Sequence, residues 1–349
     1  MARNREPRWW QKVEGLPIIL VFLCLLGLFM WTAPQVFLQP FIYTTFLSTL
    51  PPLILLAVGL TFVIGAGEID LCFPAIIAFS GFVFAVLFKE YHLGWLAVVA
   101  ALASGLLVGW INGFIIARIG IPSFMATLAT QFFWAGMATV LSGGKSYALR
   151  GVEESSVWQV IVGRPFAGSE TTWIAQLPMQ AIWTAVVVVI LWFVLNRHKF
   201  GDSVLFIGDS NAVSRVVGID VEREKIRIFT LMGGLAGLAA IMLTLENKNY
   251  FGNQGQGYLL TAIASVLIGG TSIFGGRATI IGTVFGCFII GMIEAGLVAT
   301  GLTGAWVRTV QGLVFLIAVI SYLYIEEPAR RQAFVARLRG SGAFGRRAE

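Results

Sequence analysis

Apolar runs of close to twenty residues recur along this chain, separated by short polar connections. One helix needs about 20 mostly apolar residues to cross a bilayer, so the sequence predicts roughly ten spans. The first five lie near 16–33, 43–66, 72–88, 95–117 and 123–141, the second five near 179–196, 227–245, 258–275, 279–299 and 305–325. Charged residues make up 12% of the chain, whereas soluble domains carry roughly 25%. Hydrophobic residues reach 57% and the mean hydropathy is +0.84. The predicted fold is therefore all-α, a polytopic membrane protein with about ten transmembrane helices.

Charge sets the expected orientation. With ten spans and a cytoplasmic N-terminus, about 18 of the 24 Lys and Arg fall inside, leaving Lys89, Lys145, Arg150, Arg164, Lys248 and Arg308 outside. Lys and Arg concentrate on the cytoplasmic side of bilayers. Nine or eleven spans would strand Arg330, Arg331, Arg337, Arg339, Arg346 and Arg347 on the wrong side. The net charge of +6 thus follows from span orientation, and no nucleic-acid partner is expected. Residues 1–349 read as a single transmembrane domain with both termini cytoplasmic. Its polar parts are an N-terminal stretch 1–15, a periplasmic segment 142–178, a basic loop 197–226 and a basic tail 326–349. The first apolar run, Leu16 to about Thr32, exceeds the roughly 7–15 residues of a cleavable signal core, so an uncleaved first span is expected.

Several spans look broken. Pro51-Pro52 opens the second, which ends in Gly65-Ala66-Gly67-Glu68-Ile69-Asp70, and the eighth closes on Gly269-Gly270-Thr271-Ser272-Ile273-Phe274-Gly275-Gly276-Arg277. Irregular backbone at membrane depth survives where it is buried in protein or lines a cavity. Interrupted segments in corresponding places of two halves point to a transport path built from repeats, here spans 2–5 against 7–10. The spacing Gly105/Gly109/Gly113 against Gly282/Gly286/Gly291 fits such a repeat, and fits tight helix packing alone equally well. Cys24, Cys72 and Cys287 read as apolar packing residues, and neither they nor His92 and His198 have metal-ligand spacing. Gly143-Gly144-Lys145-Ser146 resembles the end of a phosphate-binding loop, but the position needing the first glycine is Thr139. The chain is expected to hydrolyse no ATP and to bind no cofactor itself.

The basic loop carries Arg197, Lys199, Arg215, Arg223, Lys225 and Arg227. Within it, Gly208 to Ile219 reads as a short amphipathic helix. Val213, Val216 and Val217 share a face at i, i+3 and i+4, Asp209, Ser210 or Asn211 can cap its start, and Gly218 can end it. A helix this short is marginal alone, so it either rests on the membrane or inserts into a partner. Few ionisable groups fall within spans. Glu68, Asp70 and Glu294 either line the path or act structurally, Asp70 as a cap of the third span. Thr127 and Gln131, at i and i+4 on one helix face, and Asn112 either face the path or bond between helices.

Four ordered segments carry a resemblance. Phe62 to Leu71 is similar to a "GGIDLS" segment, and Asn112-Gly113 with Ile121 to Thr130 to "nG…iPsFiaTL". Gly208 to Ile219 has the spacing "GgN–eAAr–GI", and Ile268 to Leu297 matches "GGtSlfGGrGtviGtllGalllgvleNGL" nearly without gaps. In these, over about residues 40–325, the chain resembles the permease subunits of bacterial sugar-importing ATP-binding-cassette transporters of the ribose, xylose, arabinose and galactose type. Departures are Glu68 for the commoner glycine, Cys72-Phe73-Pro74 after "IDL", Asn211-Ala212-Val213-Ser214 for an acidic and alanine-rich run, and Ala295 for an asparagine.

The resemblance implies a non-enzymatic subunit of the bacterial inner membrane that carries a monosaccharide or polyol. Its implied partners are a second permease copy or paralogue, separate ATPase subunits that use ATP, and a periplasmic sugar-binding protein. Gly208, Asp209, Ser210, Val213, Arg215, Val216, Val217 and Gly218 would couple to the ATPase, and Glu68, Asp70, Asn112, Thr127, Gln131 and Glu294 would serve the path. Other readings of the same features are an ion-coupled secondary transporter, a membrane scaffold or receptor, and an importer of a nucleoside, a furanone signal or a branched-chain amino acid.

Overall fold

The computed structural model describes residues 16–167 and 175–299, with scattered positions between 301 and 316. The expected N-terminal stretch, the basic tail and most of the tenth span lie outside the described residues.

Prolines divide the first third of the chain. Helix α1 (Leu16–Thr32) is followed by α2 (Pro34–Phe37), α3 (Pro40–Thr49) and α4 (Pro51–Gly65), the last three each opening on proline. Proline suits the first helical position, where its missing N–H would have no partner anyway. It also stops the preceding helix, so α3 and α4 meet at Leu50 with a bend of 52°. All fifteen residues of α4 are buried. Then come α5 (Phe73–Lys89), α6 (Trp95–Phe114) with a π-helical extension Ile115–Ile119, and α7 (Ser123–Ser142). Gly120 and Gly143 end these last two in the left-handed region, at φ +85° and +60°, where glycine carries no Cβ penalty. Further on lie β1 (Tyr147–Ala148), α8 (Ser156–Ile161), α9 (Met179–Arg197), α10 (Lys199–Asp209), α11 (Asn211–Val216), α12 (Val221–Glu246), β2 (Asn249–Tyr250), α13 (Tyr258–Ile268) and α14 (Ile280–Ala299). The two short strands pair antiparallel, with Tyr147 opposite Tyr250.

The fold is all-α apart from that strand pair, but the expectation of about ten spans is overturned. Among the described residues, five helices are long and apolar enough to cross a membrane: Trp95–Ile119, α7, α9, α12 and α14. The bent pair α3–α4 makes a sixth if counted as one span. The reason is that apolar composition does not report helix length. The eighth expected span keeps only the 11 residues of α13, because the chain breaks at Gly269-Gly270, and α1 and α5 reach only 17 residues each. The expected repeat falls with the count: the second span is a bent pair, whereas its supposed counterpart α12 is one helix of 26 residues.

Helix α4 sits at the centre, packed against α9, α12, α13 and α14, and α12 runs beside it against α5 and α6. The α6–α12 crossing is backbone on backbone. A methyl group at Gly105 would stand 2.5 Å from the Gly233 carbonyl, and one at Gly109 would stand 3.0 Å from Gly233 Cα. Small residues allow this approach, which dispersion then rewards. Gly282 and Gly286 likewise face Gly269 and Ser265 of the neighbouring segment, so in both places the glycines serve packing.

Candidate functional site

The basic 197–226 segment is itself helical. His198 starts α10, its Nδ1 accepting from Phe200 N–H at 3.1 Å. Ser210 separates α10 from α11, its hydroxyl accepting from Val213 N–H at 3.3 Å. The stop is a complete Schellman motif: Gly218 N–H reaches Arg215 O at 3.1 Å and Ile219 N–H reaches Ser214 O at 2.9 Å. Gly218 supplies the φ of +87° that this needs. Helix α11 is shorter than the predicted stretch from Gly208 to Ile219, and its polarity is inverted. Val213, Val216 and Val217 are 54%, 87% and 61% exposed, while Ser214 is fully buried. Ser214 donates to Ser210 O at 2.9 Å. Asp209, the last residue of α10, is exposed.

Gly208 does not belong to that exposed face. It lies where three chain segments touch through their backbones. Gly276 N–H donates to Gly65 O at 3.0 Å, and a methyl group at Gly208 would overlap both partners of that bond. Gly67 and Gly275, at φ +73° and +82°, also face Gly208. The end of α4, the end of α10 and the α13–α14 connection therefore share one glycine junction. Gly65, Gly275 and Gly276 were not expected at this site; only the glycine-rich ends of the second and eighth spans hinted at them.

The loop after the junction is stitched to α7. Ile69 N–H donates to Ser123 Oγ and Leu71 N–H to Thr127 Oγ1, each at 3.1 Å, and Thr127 donates to Ser123 O at 2.7 Å. Thr127 is fully buried. Asp70, also buried, accepts from Cys72 N–H at 2.6 Å ahead of α5. That N–H belongs to Cys72, the residue just before α5, so the bond closes a tight turn ahead of the helix and no side chain caps its start. Glu68 pairs with Lys225 of α12 at 2.5 Å, with side chains 11% and 15% exposed. Both line a cavity of about 320 Å³ with Ser123, Asn211, Arg215 and Glu222.

The comparisons decide what this arrangement belongs to. The family described as "Branched-chain amino acid transport system / permease component" matches residues 42–319. The chain belongs to this permease family. It is 32% identical over 267 residues to the ribose import permease protein RbsC of Escherichia coli (strain K12), covering 76% of this chain and 80% of that one. Identity to RbsC of Bacillus subtilis (strain 168) is 34% over 266 residues, 76% of this chain and 80% of that one. With the L-arabinose ABC transporter permease protein AraH of Azospirillum brasilense it is 30% over 312 residues, 89% and 88% of the two chains. No solved structure matches. With its apolar helices, the permease is a polytopic inner-membrane protein and a transport component rather than an enzyme.

The remaining expected path residues of the permease are scattered over three helices. Asn112 of α6 is fully buried and neither polar atom of its amide has a hydrogen-bond partner. Gln131 of α7 is half-buried, and Glu294 of α14 is exposed on a helix otherwise flanked by apolar side chains. At the end of the permease opposite α11, Glu153 and Lys248 pair at 2.6 Å, beside the β1–β2 ladder. This contact holds the Glu153 carboxyl below its ordinary range. Among the described residues no group of three His, Cys, Asp or Glu could hold a metal ion. Cys72 and Cys287 are buried as expected, whereas Cys24 is exposed.

Proposed function

We propose that this permease, with a second copy or a paralogue, forms the translocation path of an ATP-binding-cassette importer for a monosaccharide or related polyol. A periplasmic binding protein delivers the sugar, and separate ATPase subunits at the cytoplasmic face use ATP. The carrying observation is the inverted polarity of α11, with three valines in solvent and a serine buried. A helix of six residues has no reason to keep that arrangement unless another surface covers the valines. The sugar assignment rests on the relatives, which are named for ribose and L-arabinose, although the family description names branched-chain amino acids.

In this reading α11 and the glycine junction couple ATPase closure to the helices, while Asn112, Gln131 and Glu294 serve the path. Glu294 supports it on physical grounds: a carboxylate at membrane depth faces protein or a water-filled cavity, not lipid. Asp70 and Thr127 hold the loop that ends α4.

The test is uptake of labelled D-ribose and L-arabinose by cells expressing the permease with its neighbouring ATPase and binding protein. Uptake is expected to persist when the proton gradient is collapsed and ATP maintained. Ion-driven transport by the purified permease alone in liposomes would refute the reading.

A further inference from the structure

The joint between α3 and α4 is not set by its own backbone. In a continuous helix, residues 51 and 52 would donate to the carbonyls of Leu47 and Ser48, but Pro51 and Pro52 have no N–H to give. The bend of 52° is held from another helix instead. Gln180 of α9, fully buried, donates through Nε2 to Ser48 O at 2.5 Å and to Glu246 Oε2 at 3.2 Å. Both partners are acceptors, which fixes the orientation of the amide and uses both of its hydrogens. Four residues earlier in each segment, Thr44 Oγ1 and Gln176 Oε1 lie 3.1 Å apart. A short polar seam therefore fastens α3. Beyond it, α4 is buried along its whole length, whereas only Thr44, Phe46 and Ser48 of α3 are buried. On a different face of α3 lies an apolar cavity of about 170 Å³, walled by Tyr43 and Phe46 with Phe22 and Leu26 of α1 and Phe288 and Met292 of α14. The seam itself is incompletely satisfied. Gln180 Oε1 and Thr184 Oγ1, one turn apart on α9 and both buried, have no hydrogen-bond partner, although buried polar atoms are normally paired.

We propose that α3 is a hinged flap latched by the Gln180 amide, and that it swings about Leu50 into the apolar cavity as the permease turns over. The inference rests on the importer reading above and supplies a moving element at the end of the molecule opposite α11. Hinges are the few element-terminal residues that absorb a change of backbone angle, and Leu50 stands between Thr49, which ends α3, and Pro51, which opens α4. Glu246 is the last residue of α12 and is exposed, so it holds the latch from the rim. When Gln180 lets go, Ser48 O loses its side-chain donor and the seam is free to pair again in another setting. Gln180 is thus a positioning residue, acting on the angle between two helices.

The experiment places spin labels at Phe41→Cys on α3 and Val189→Cys on α9, both exposed positions, in a Cys24→Ser background, and measures their separation by pulsed electron paramagnetic resonance. The full-length permease is studied in nanodiscs with its ATPase subunits, at rest and trapped with ATP and vanadate. The labelled permease is expected to give one distance at rest and a second on trapping. Adding Gln180→Leu is expected to bring out the second distance at rest and to lower uptake several-fold. Glu246→Ala, which frees Gln180 from the rim without touching the buried seam, is expected to show the same second distance in a smaller population. A static brace predicts one unchanged distance in all three proteins and both conditions, and that result overturns the flap. Should Gln180→Leu fail to fold, the trapped parent and Glu246→Ala decide between the two. An unmoved distance while ATP-driven uptake proceeds refutes the flap and leaves the importer reading standing. Ion-driven uptake by the permease alone refutes that reading, and the resting distances of the two variants still test the latch.

Discussion

At the residue scale, two side chains one helical turn apart have parted company. Thr127 and Gln131 were expected on a common face of α7, yet Thr127 is consumed by Leu71 N–H and Ser123 O, while Gln131 is half-buried. In a Cys24→Ser background, Gln131→Cys is expected to react with a small water-soluble thiol reagent at a rate that changes with ATP. Thr127→Cys is expected to stay protected in the resting protein. Rapid labelling of Thr127→Cys and none of Gln131→Cys would reverse the assignment. A local contact of Asp70 was legible because its partner lies two residues away, although the bond falls ahead of α5 and does not cap it as expected. The Glu68–Lys225 pair was not, because it joins a loop to a helix more than 150 positions further on, and nothing local in either segment encodes the other.

At the scale of elements, α11 is the segment where local rules sufficed. The i, i+3, i+4 valines, the Ser210 cap and the Gly218 stop are all short-range devices, and each is present. Span lengths were less legible, since helix breaks at proline and glycine pairs depend on what packs around them. Burying one valine contributes roughly 1.5–3 kcal/mol, and an aspartate there adds a desolvation cost. Val216→Asp should therefore weaken co-purification of the ATPase subunit by at least about tenfold. Membrane insertion should be unchanged, because α11 adds nothing to any span. Retention of the partner together with normal uptake would remove α11 from the coupling role.

At the scale of the whole molecule, the glycine junction joins three segments that the sequence keeps far apart, at residues 65, 208 and 276. Gly208→Ala is expected to leave ATPase binding within about twofold of wild type, since the valine face is untouched, but to abolish uptake, because the added methyl forces the Gly276–Gly65 contact open. Loss of binding and uptake together would mean that Gly208 only supports the shape of α11. The burial of α4 has a consequence in time. Its neighbours α9, α12, α13 and α14 are all made later, and α14 starts at Ile280, more than two hundred residues after Gly65. At a translation speed of roughly 5–20 residues per second, that is a delay of about ten seconds or more. During it, α4 must lodge among lipids that its finished surroundings will displace. Its sequence suits the wait, for Thr61 satisfies its hydroxyl on Ala57 O of its own helix at 2.9 Å and meets Thr283 only when the last of these helices leaves the ribosome.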